Sequence, residues 1–289
     1  MKIGFIGLGN MGTPMARNLQ GSHDITGYDP SAKPDGIPLV ASAALAAKDA
    51  DVVITMLPNG EILRSVSNEI HPAMPAGSIH LDCSTVDVDS ARYVADQAST
   101  HGLKAVDAPV SGGIGGASNG TLTFMAGGAP DAFSAIQPLF DLMGQKAVHC
   151  GDAGSGQAAK ICNNMILGVT MIATCEAFAL ADKLGLDRQA MFDVVSTSSG
   201  SSWSMNTYCP APGIGPNSPA DNNYTPGFAA ELMLKDLNLS QMAAAAADAD
   251  TPMGQAARDL YADFVENEDG HGKDFSAMLP RFVARHHEN

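Results

Sequence analysis

Short apolar runs alternate with amphipathic stretches through the first half of the chain. Residues 2–6 predict a strand, 11–20 a helix and 24–28 a second strand. The alternation continues with a helix over 41–48, a strand over 52–56, a helix over 61–69, a strand over 78–82, a helix over 87–101 and a strand over 103–107. Strands spaced by helices in this way predict an α/β fold, a mainly parallel sheet with helices on both faces. Residues 121–126 and 147–149, with a helix between them, extend that sheet. After Gly151-Asp152-Ala153-Gly154-Ser155-Gly156 the pattern changes. Residues 157–186 read as one long helix, apolar around most of its circumference and so expected to be buried among other helices. Only helices follow, over 188–196, 228–247, 253–266 and 277–283. Residues 198–225 are rich in Gly, Pro, Ser and Asn and predict a long loop, a type of segment that commonly carries function. The expected division is an α/β domain over 1–156 and an all-α C-terminal domain over 157–289, with 157–186 as a long interdomain helix.

A length of 289 residues suits two domains. The formal net charge is −15, from 16 Lys+Arg against 31 Asp+Glu. That balance excludes general binding to the phosphate backbone of nucleic acid, which needs clustered cations, and argues against an anionic membrane surface. Residues 161–175 are uncharged but hold Asn163, Asn164 and two threonines, too short and too polar a run to span a bilayer. The first strand begins at residue 2, which leaves no room for a targeting peptide, so a cytoplasmic location is expected. The five cysteines are scattered and form no CxxC pair, and no HExxH occurs. Reduced, buried thiols are expected, with no disulfide framework and no metal site. His286-His287 reads as a disordered polar tail.

Gly7-Leu8-Gly9-Asn10-Met11-Gly12 is GxGxxG directly after a strand and opening a helix. Gly7 permits the tight turn, Gly9 leaves room for a pyrophosphate, and Gly12 lets helix and strand pack closely. The helix N-terminus then offers free N–H groups to phosphates. Asp29 ends the second strand, where a carboxylate accepts from a ribose 2′-hydroxyl and repels a 2′-phosphate. These residues predict a Rossmann-type domain binding NAD rather than NADP; Ser31 and Lys33 close by leave some NADP use open. Leu57-Pro58 closes the third strand and Ser84-Thr85 the fourth, at the edge where a cofactor crevice runs. Equally, the first pair fits a Pro-marked turn, and the second an N-cap for helix 87–101.

Ser111-Gly112-Gly113 follows a strand. The loop can be an anion-binding nest suited to a carboxylate, or simply a flexible glycine loop. Lys160, Asn163 and Asn164 share one face at the start of the long helix. A partly buried lysine has its charged form disfavoured and can transfer protons near neutral pH; a snorkelling lysine near a helix end fits the spacing equally well. Lys235-Asp236 lies on a later helix and fits a solvated charge pair. Trp203, Tyr208 and Phe228 flank the Pro/Gly loop and can wall a pocket, although isolated aromatics more often belong to a core.

Together these blocks resemble the β-hydroxyacid dehydrogenase family over essentially the whole chain. The resemblance rests on Gly4–Gly12 and Pro109-Val110-Ser111-Gly112-Gly113, with Gly116-Ala117 and the run from Gly120 to Met125. It continues through Gly154, Gly156, Lys160, Asn163-Asn164 and Lys235-Asp236. Ser198-Ser199-Gly200, Trp203, Tyr208-Cys209-Pro210, Pro212-Gly213, Asn222-Asn223-Tyr224 and Gly227-Phe228 are similar to the branch acting on 3-hydroxyisobutyrate. The glyoxylate and tartronate semialdehyde reductases of the family usually read differently there. The resemblance implies NAD-dependent oxidation of 3-hydroxyisobutyrate to methylmalonate semialdehyde, a step of valine catabolism. It makes Lys160 the catalytic lysine and Asn164 the residue orienting lysine and substrate. Ser111, Gly112 and Gly113 become the substrate-carboxylate loop. Thr85 lies near nicotinamide and substrate, Lys235 closes over the cofactor site, and Trp203 and Phe228 are pocket walls. A related semialdehyde or glyoxylate reductase, and a non-catalytic dinucleotide-binding scaffold, are the competing readings. The apolar long helix and the alanine run 243–247 point to a homo-oligomer, dimer or tetramer.

Overall fold

Alternate residues of the first strand are buried in different clusters. Phe5 joins Met15, Leu19, Ile54, Leu81, Phe124 and Phe140, whereas Ile6 joins Ala43, Ala46, Val53 and Ile70. A strand whose successive side chains are all buried belongs inside a sheet covered on both faces. The computed structural model, which describes residues 1–284, shows that sheet. Its strands are β1 (Lys2–Ile6), β2 (Asp24–Tyr28), β3 (Val52–Thr55), β4 (Ile79–Asp82), β5 (Lys104–Asp107), β6 (Val110–Ser111), β7 (Leu122–Gly128) and β8 (Gly144–Gly151). They run in the order β2-β1-β3-β4-β5-β7-β6, with β8 also paired to β7. The first five are mutually parallel. β7 is antiparallel to β5 and β6 and parallel to β8. The strand order reverses between β1 and β3, the switch point at which such sheets bind ligands beyond their carboxyl ends.

The helices between these strands are α1 (Gly12–Gln20), α2 (Ala43–Ala47), α3 (Gly60–Ile70), α4 (Val88–Thr100), α5 (Gly113–Asn119) and α6 (Pro130–Met143). Then come α7 (Ser155–Lys183), α8 (Arg188–Val195), α9 (Trp203–Asn206), α10 (Ala230–Ala246), α11 (Pro252–Asn267) and α12 (Met278–Ala284). The chain divides into two compact units, Met1–Lys160 and a second beginning at Ile161, so the division falls inside α7. The second unit has its own core of Met171, Cys175, Phe178, Met233, Leu237, Tyr261, Phe275 and Met278.

Several expectations are corrected. Residues 110–119 are a short strand and a helix, not a flexible loop. The long loop holds α9 and a 3-10 turn over Pro219–Asn222. All five cysteines are free thiols, but Cys150 is half-buried and Cys162 exposed, so only three fit the buried class. α7 has 29 residues and a mean hydropathy of 1.6 in its most apolar stretch, enough in length and composition to cross a bilayer. Half of that stretch is packed inside the protein, and the buried carboxamide of Asn164 is satisfied by another side chain, as in a core helix. The remaining exposed positions, Ile166 and Leu180 among them, correct the expectation of a helix enclosed on all sides. His286-His287 lies outside the described residues.

Candidate active site

The turn after β1 is shaped by three glycines with separate reasons. Gly7 takes φ +92°, and a Cβ there would stand 2.2 Å from the Met56 carbonyl oxygen. A Cβ at Gly12 would stand 1.9 Å from the Gly7 oxygen, so α1 can approach β1 only without one. A Cβ at Gly9 would meet no atom of the protein within 4 Å. The fold therefore requires glycine at 7 and 12, while the absence of a side chain at 9 leaves open space outside the turn. Leu8 is buried, and Gly9 and Asn10 are exposed. No side chain caps α1 at Met11, and no acidic residue sits in its first turn, so its N-terminus keeps the positive field that favours phosphate.

Asp29 is fixed beside this turn. Its Oδ2 accepts from the Leu8 N–H at 2.8 Å, and its Oδ1 accepts from Ser31 N–H at 2.8 Å and Ala32 N–H at 2.6 Å. Burial acts to raise its pKa, but the Ala32, Ser31 and Leu8 donors outweigh it and hold the carboxyl below the usual carboxylate range. The group is thus an anion at neutral pH, oriented by the same loop that a dinucleotide would cross. The open space at Gly9, the uncapped helix and the anchored carboxylate fit NAD.

At the ends of β3 and β4, Leu57 N–H donates to Ser84 Oγ at 2.8 Å, and Ser84 Oγ donates to Asp82 Oδ1 at 2.6 Å. The N-cap of α4 is Asp87, which accepts from Ser90 N–H, and not Ser84 or Thr85. Ser84 instead ties the Leu57-Pro58 segment to β4. Behind it lies a buried relay with no sequence signature. Thr55 Oγ1 donates to Asp82 at 2.7 Å and lies 3.0 Å from His80 Nε2, while His80 Nδ1 lies 3.0 Å from His71 Nε2. Because Thr55 spends its proton on Asp82, His80 must donate to Thr55 and accept from His71. Burial lowers both imidazoles, His71 to about 4 and His80 to about 3, so both are neutral at pH 7.

Ser111 is pinned by the sheet. The pairs Val106–Gly128, Asp107–Gly127, Val110–Phe124 and Ser111–Thr123 follow one antiparallel register, with Met125 N–H donating to the Pro109 carbonyl between them. Gly112 and Gly113 both take positive φ, +134° and +61°, and turn the chain into α5. The substrate-loop candidates are therefore a rigid turn.

Lys160 is 8% exposed, and Asn164, one turn further along α7, is 1% exposed. Asn164 Nδ2 donates to the Asp236 carboxylate, and its Oδ1 accepts from Asn163 Nδ2 at 2.8 Å. Asp236 is 4% exposed. The expectation of a solvated Lys235-Asp236 pair is thus corrected: Lys235 is half-buried and Asp236 belongs to a buried polar pair. An acid within Leu232-Met233-Leu234-Lys235-Asp236-Leu237 was the signal that could have shown this.

Trp203 is half exposed and stacks on Tyr208 at 4.9 Å, Tyr208 packs on Phe275 at 5.3 Å, and Phe228 meets Phe275 edge-on at 5.6 Å. The aromatics form one ladder, not isolated core residues. Asp274, fully buried and absent from the sequence candidates, organises it. Its Oδ2 accepts from Tyr208 Oη at 2.9 Å and from the Gly227 and Phe228 N–H groups at 3.0 Å. Its Oδ1 accepts from Ser276 N–H and Oγ. Gly7–Gly12, Asp29, Leu57, Pro58, Thr85, Ser111–Gly113 and Lys160 belong to the first unit, and Asn164, Trp203, Phe228 and Lys235 to the second. Among the described residues, no cluster of His, Cys, Asp and Glu is arranged to hold a metal ion.

A mainly parallel sheet with this turn and carboxylate defines a dinucleotide-binding protein. Residues 2–151 match the family of the NAD binding domain of 6-phosphogluconate dehydrogenase. Residues 154–282 match the NAD-binding domain of NADP-dependent 3-hydroxyisobutyrate dehydrogenase. A probable 3-hydroxyisobutyrate dehydrogenase of Mycobacterium bovis is 46% identical, covering 98% of each chain. An NAD-dependent L-serine dehydrogenase of Pseudomonas aeruginosa is 43% identical, covering 90% of this chain and 91% of its own. A solved structure of Mycobacterium tuberculosis 3-hydroxyisobutyrate dehydrogenase with L-serine superposes with a TM-score of 0.94 at 46% identity, covering 98% of this chain and 99% of that one. The chain belongs to the 3-hydroxyisobutyrate dehydrogenase family of NAD-binding hydroxyacid oxidoreductases.

Proposed function

We propose that the protein oxidises 3-hydroxyisobutyrate to methylmalonate semialdehyde, with NAD preferred over NADP. The observation that carries this reading is the buried Lys160 on one helix with Asn164, whose amide is itself held by Asp236. NAD, when bound, supplies the hydride acceptor. Gly7, Leu8, Gly9, Asn10, Met11 and Gly12 would hold its pyrophosphate and Asp29 its ribose hydroxyls, with Leu57, Pro58, Thr85 and Lys235 the further residues assigned to it. Ser111, Gly112 and Gly113 bind the substrate carboxylate and so fix which carbon presents its hydrogen. Lys160 stabilises the developing alkoxide and takes the hydroxyl proton as the C3 hydride leaves. Asn164 would orient the same hydroxyl, and Trp203 and Phe228, on the aromatic ladder of the second unit, are the residues assigned to receive the methyl group.

L-Serine is the second reading, favoured by the relative named for it and by the solved relative that holds it. One methyl group in a pocket is worth only about 1–3 kcal/mol. Steady-state NAD reduction against 3-hydroxyisobutyrate, 3-hydroxypropionate and L-serine, repeated with NADP, decides both questions. A higher kcat/KM for 3-hydroxyisobutyrate with NAD supports the reading; preference for another acid or for NADP overturns that part of it. We further infer a cytoplasmic homo-oligomer. Large apolar side chains are exposed at Ile166, Leu180 and Leu184 on and just after α7, and at Met242 and Met253 on α10 and α11, and a subunit interface would cover them. Light scattering reading a monomer would reject the oligomer.

A further inference from the structure

Asp107 lies three residues before the substrate-loop segment β6, yet its side chain serves the opening of α7. Its Oδ1 accepts from Gly154 N–H at 2.7 Å, and its Oδ2 accepts from Gln157 N–H at 2.9 Å. The two oxygens thus grip both sides of the helix start, with Lys160 three residues beyond Gln157. Two glycines keep the space clear. A Cβ at Gly127 would stand 2.7 Å from Asp107 Oδ1, and one at Gly156 would stand 2.8 Å from Oδ2. Gln157 extends the grip, because its Oε1 accepts from Val86 N–H at 3.1 Å and its Nε2 donates to the Ser84 carbonyl at 2.8 Å. A helix start is therefore bolted to the ends of β4 and β5 through one carboxylate and one carboxamide. A helix N-terminus favours a negative group at this place.

We propose that Asp107 is a positioning residue for the oxidation: its carboxylate clamps the Gly154 and Gln157 N–H groups and so fixes where Lys160 stands. The inference rests on the role assigned to Lys160 above. The clamp is tightest when Asp107 is ionised, because a charged acceptor binds an N–H more strongly than a neutral carboxyl does. Burial, and to a smaller degree the neighbouring Asp82, raises Asp107 to about 7, against the pull of the Gly154 and Gln157 donors. The groups facing it are few. β4 presents Asp82, its register partner, and β8 presents Cys150. β7 presents Gly127, and α4 lines the cavity of about 10 Å³ beside both carboxylates with Ala91, Val94 and Ala95, while its Arg92 packs on Gly154. As pH falls through about 7 the clamp loosens, and Lys160 is held less closely.

The experiment is an NMR pH titration of the full-length protein, following the Gly154 and Gln157 amide protons. Both are expected to move upfield together as pH falls through about 7, in the wild type and in Lys160→Ala alike, and to stay fixed in Asp107→Asn. In the same Asp107→Asn protein, kcat is expected to fall about 10- to 100-fold with the KM for NAD within about twofold, the pattern of a misplaced catalytic group. Amides that do not titrate in the wild type, or an Asp107→Asn enzyme with undiminished kcat, overturn the proposal. The wild-type titration stands even if the variant fails to fold. A Lys160→Ala protein that turned over normally would reject the lysine's role while leaving the amide titration intact, so the two failures are distinct.

Discussion

Asn164 donates its side-chain amide to Asp236, 72 residues further along the chain, and each of the two is buried. A buried amide left without that acceptor costs about 1–3 kcal/mol. Asp236→Ala is therefore expected to lower stability by about that amount and to lower kcat more than the affinity for NAD, while Asp236→Asn, which keeps an acceptor oxygen, recovers most of both. Urea melts and steady-state kinetics on the two variants check this; equal effects from both would show that the acceptor is not what matters.

Gly12 and Gly9 of the first turn make opposite predictions. Gly12→Ala drives a Cβ into the Gly7 carbonyl and is expected to cost about 1–3 kcal/mol or more, with a lower Tm. Gly9→Ala meets nothing in the protein, so its Tm should match the wild type while its Kd for NAD rises at least about tenfold, or about 1.4 kcal/mol. Calorimetry on the apo proteins and NAD titration read the two effects separately.

The proposed preference for NAD over NADP rests on Asp29, which is held as an anion by three N–H groups. Asp29→Ala removes both its ribose acceptor and its repulsion of a 2′-phosphate. The ratio of kcat/KM for NAD over NADP is expected to fall by at least about tenfold. An unchanged ratio would place the discrimination elsewhere, with Ser31 and Lys33 as the next residues to vary.

His71 and His80 make stability depend on pH. Their folded pKa values are depressed below the ordinary 6.5, so the unfolded chain binds more protons as pH falls. Their contribution is fully present above about 6.5 and is lost as pH falls toward their folded values near 4 and 3. Between pH 7 and pH 5 the pair is expected to remove about 4 kcal/mol of unfolding free energy. Replacing both with glutamine should flatten that slope, as read from urea melts at the two pH values.

What could be read in advance follows from the range of each signal. The strands and helices of the first unit announce themselves locally, because a run such as Lys2–Ile6 followed by Gly7–Gly12 is both pattern and punctuation. α5 was hidden because Gly113, Gly115 and Gly116 argue against a helix; there β6, pinned to β7, and the left-handed Gly120 at the helix end set the path. The partners of Asn164 and Asp107, and the relay from His71 to Asp82, join residues far apart in sequence. Single residues of ordinary type carry no mark of such pairings. Asp274 is the same case: its five donors come from Tyr208, Gly227, Phe228 and Ser276.

The most direct measurement is the turnover of Lys160→Ala on 3-hydroxyisobutyrate, taken together with its affinity for NAD. A proton-transfer role predicts that kcat falls about 10²- to 10⁴-fold while the Kd for NAD stays within about threefold of the wild type. A variant that oxidised the substrate at near wild-type rate would contradict the central assignment.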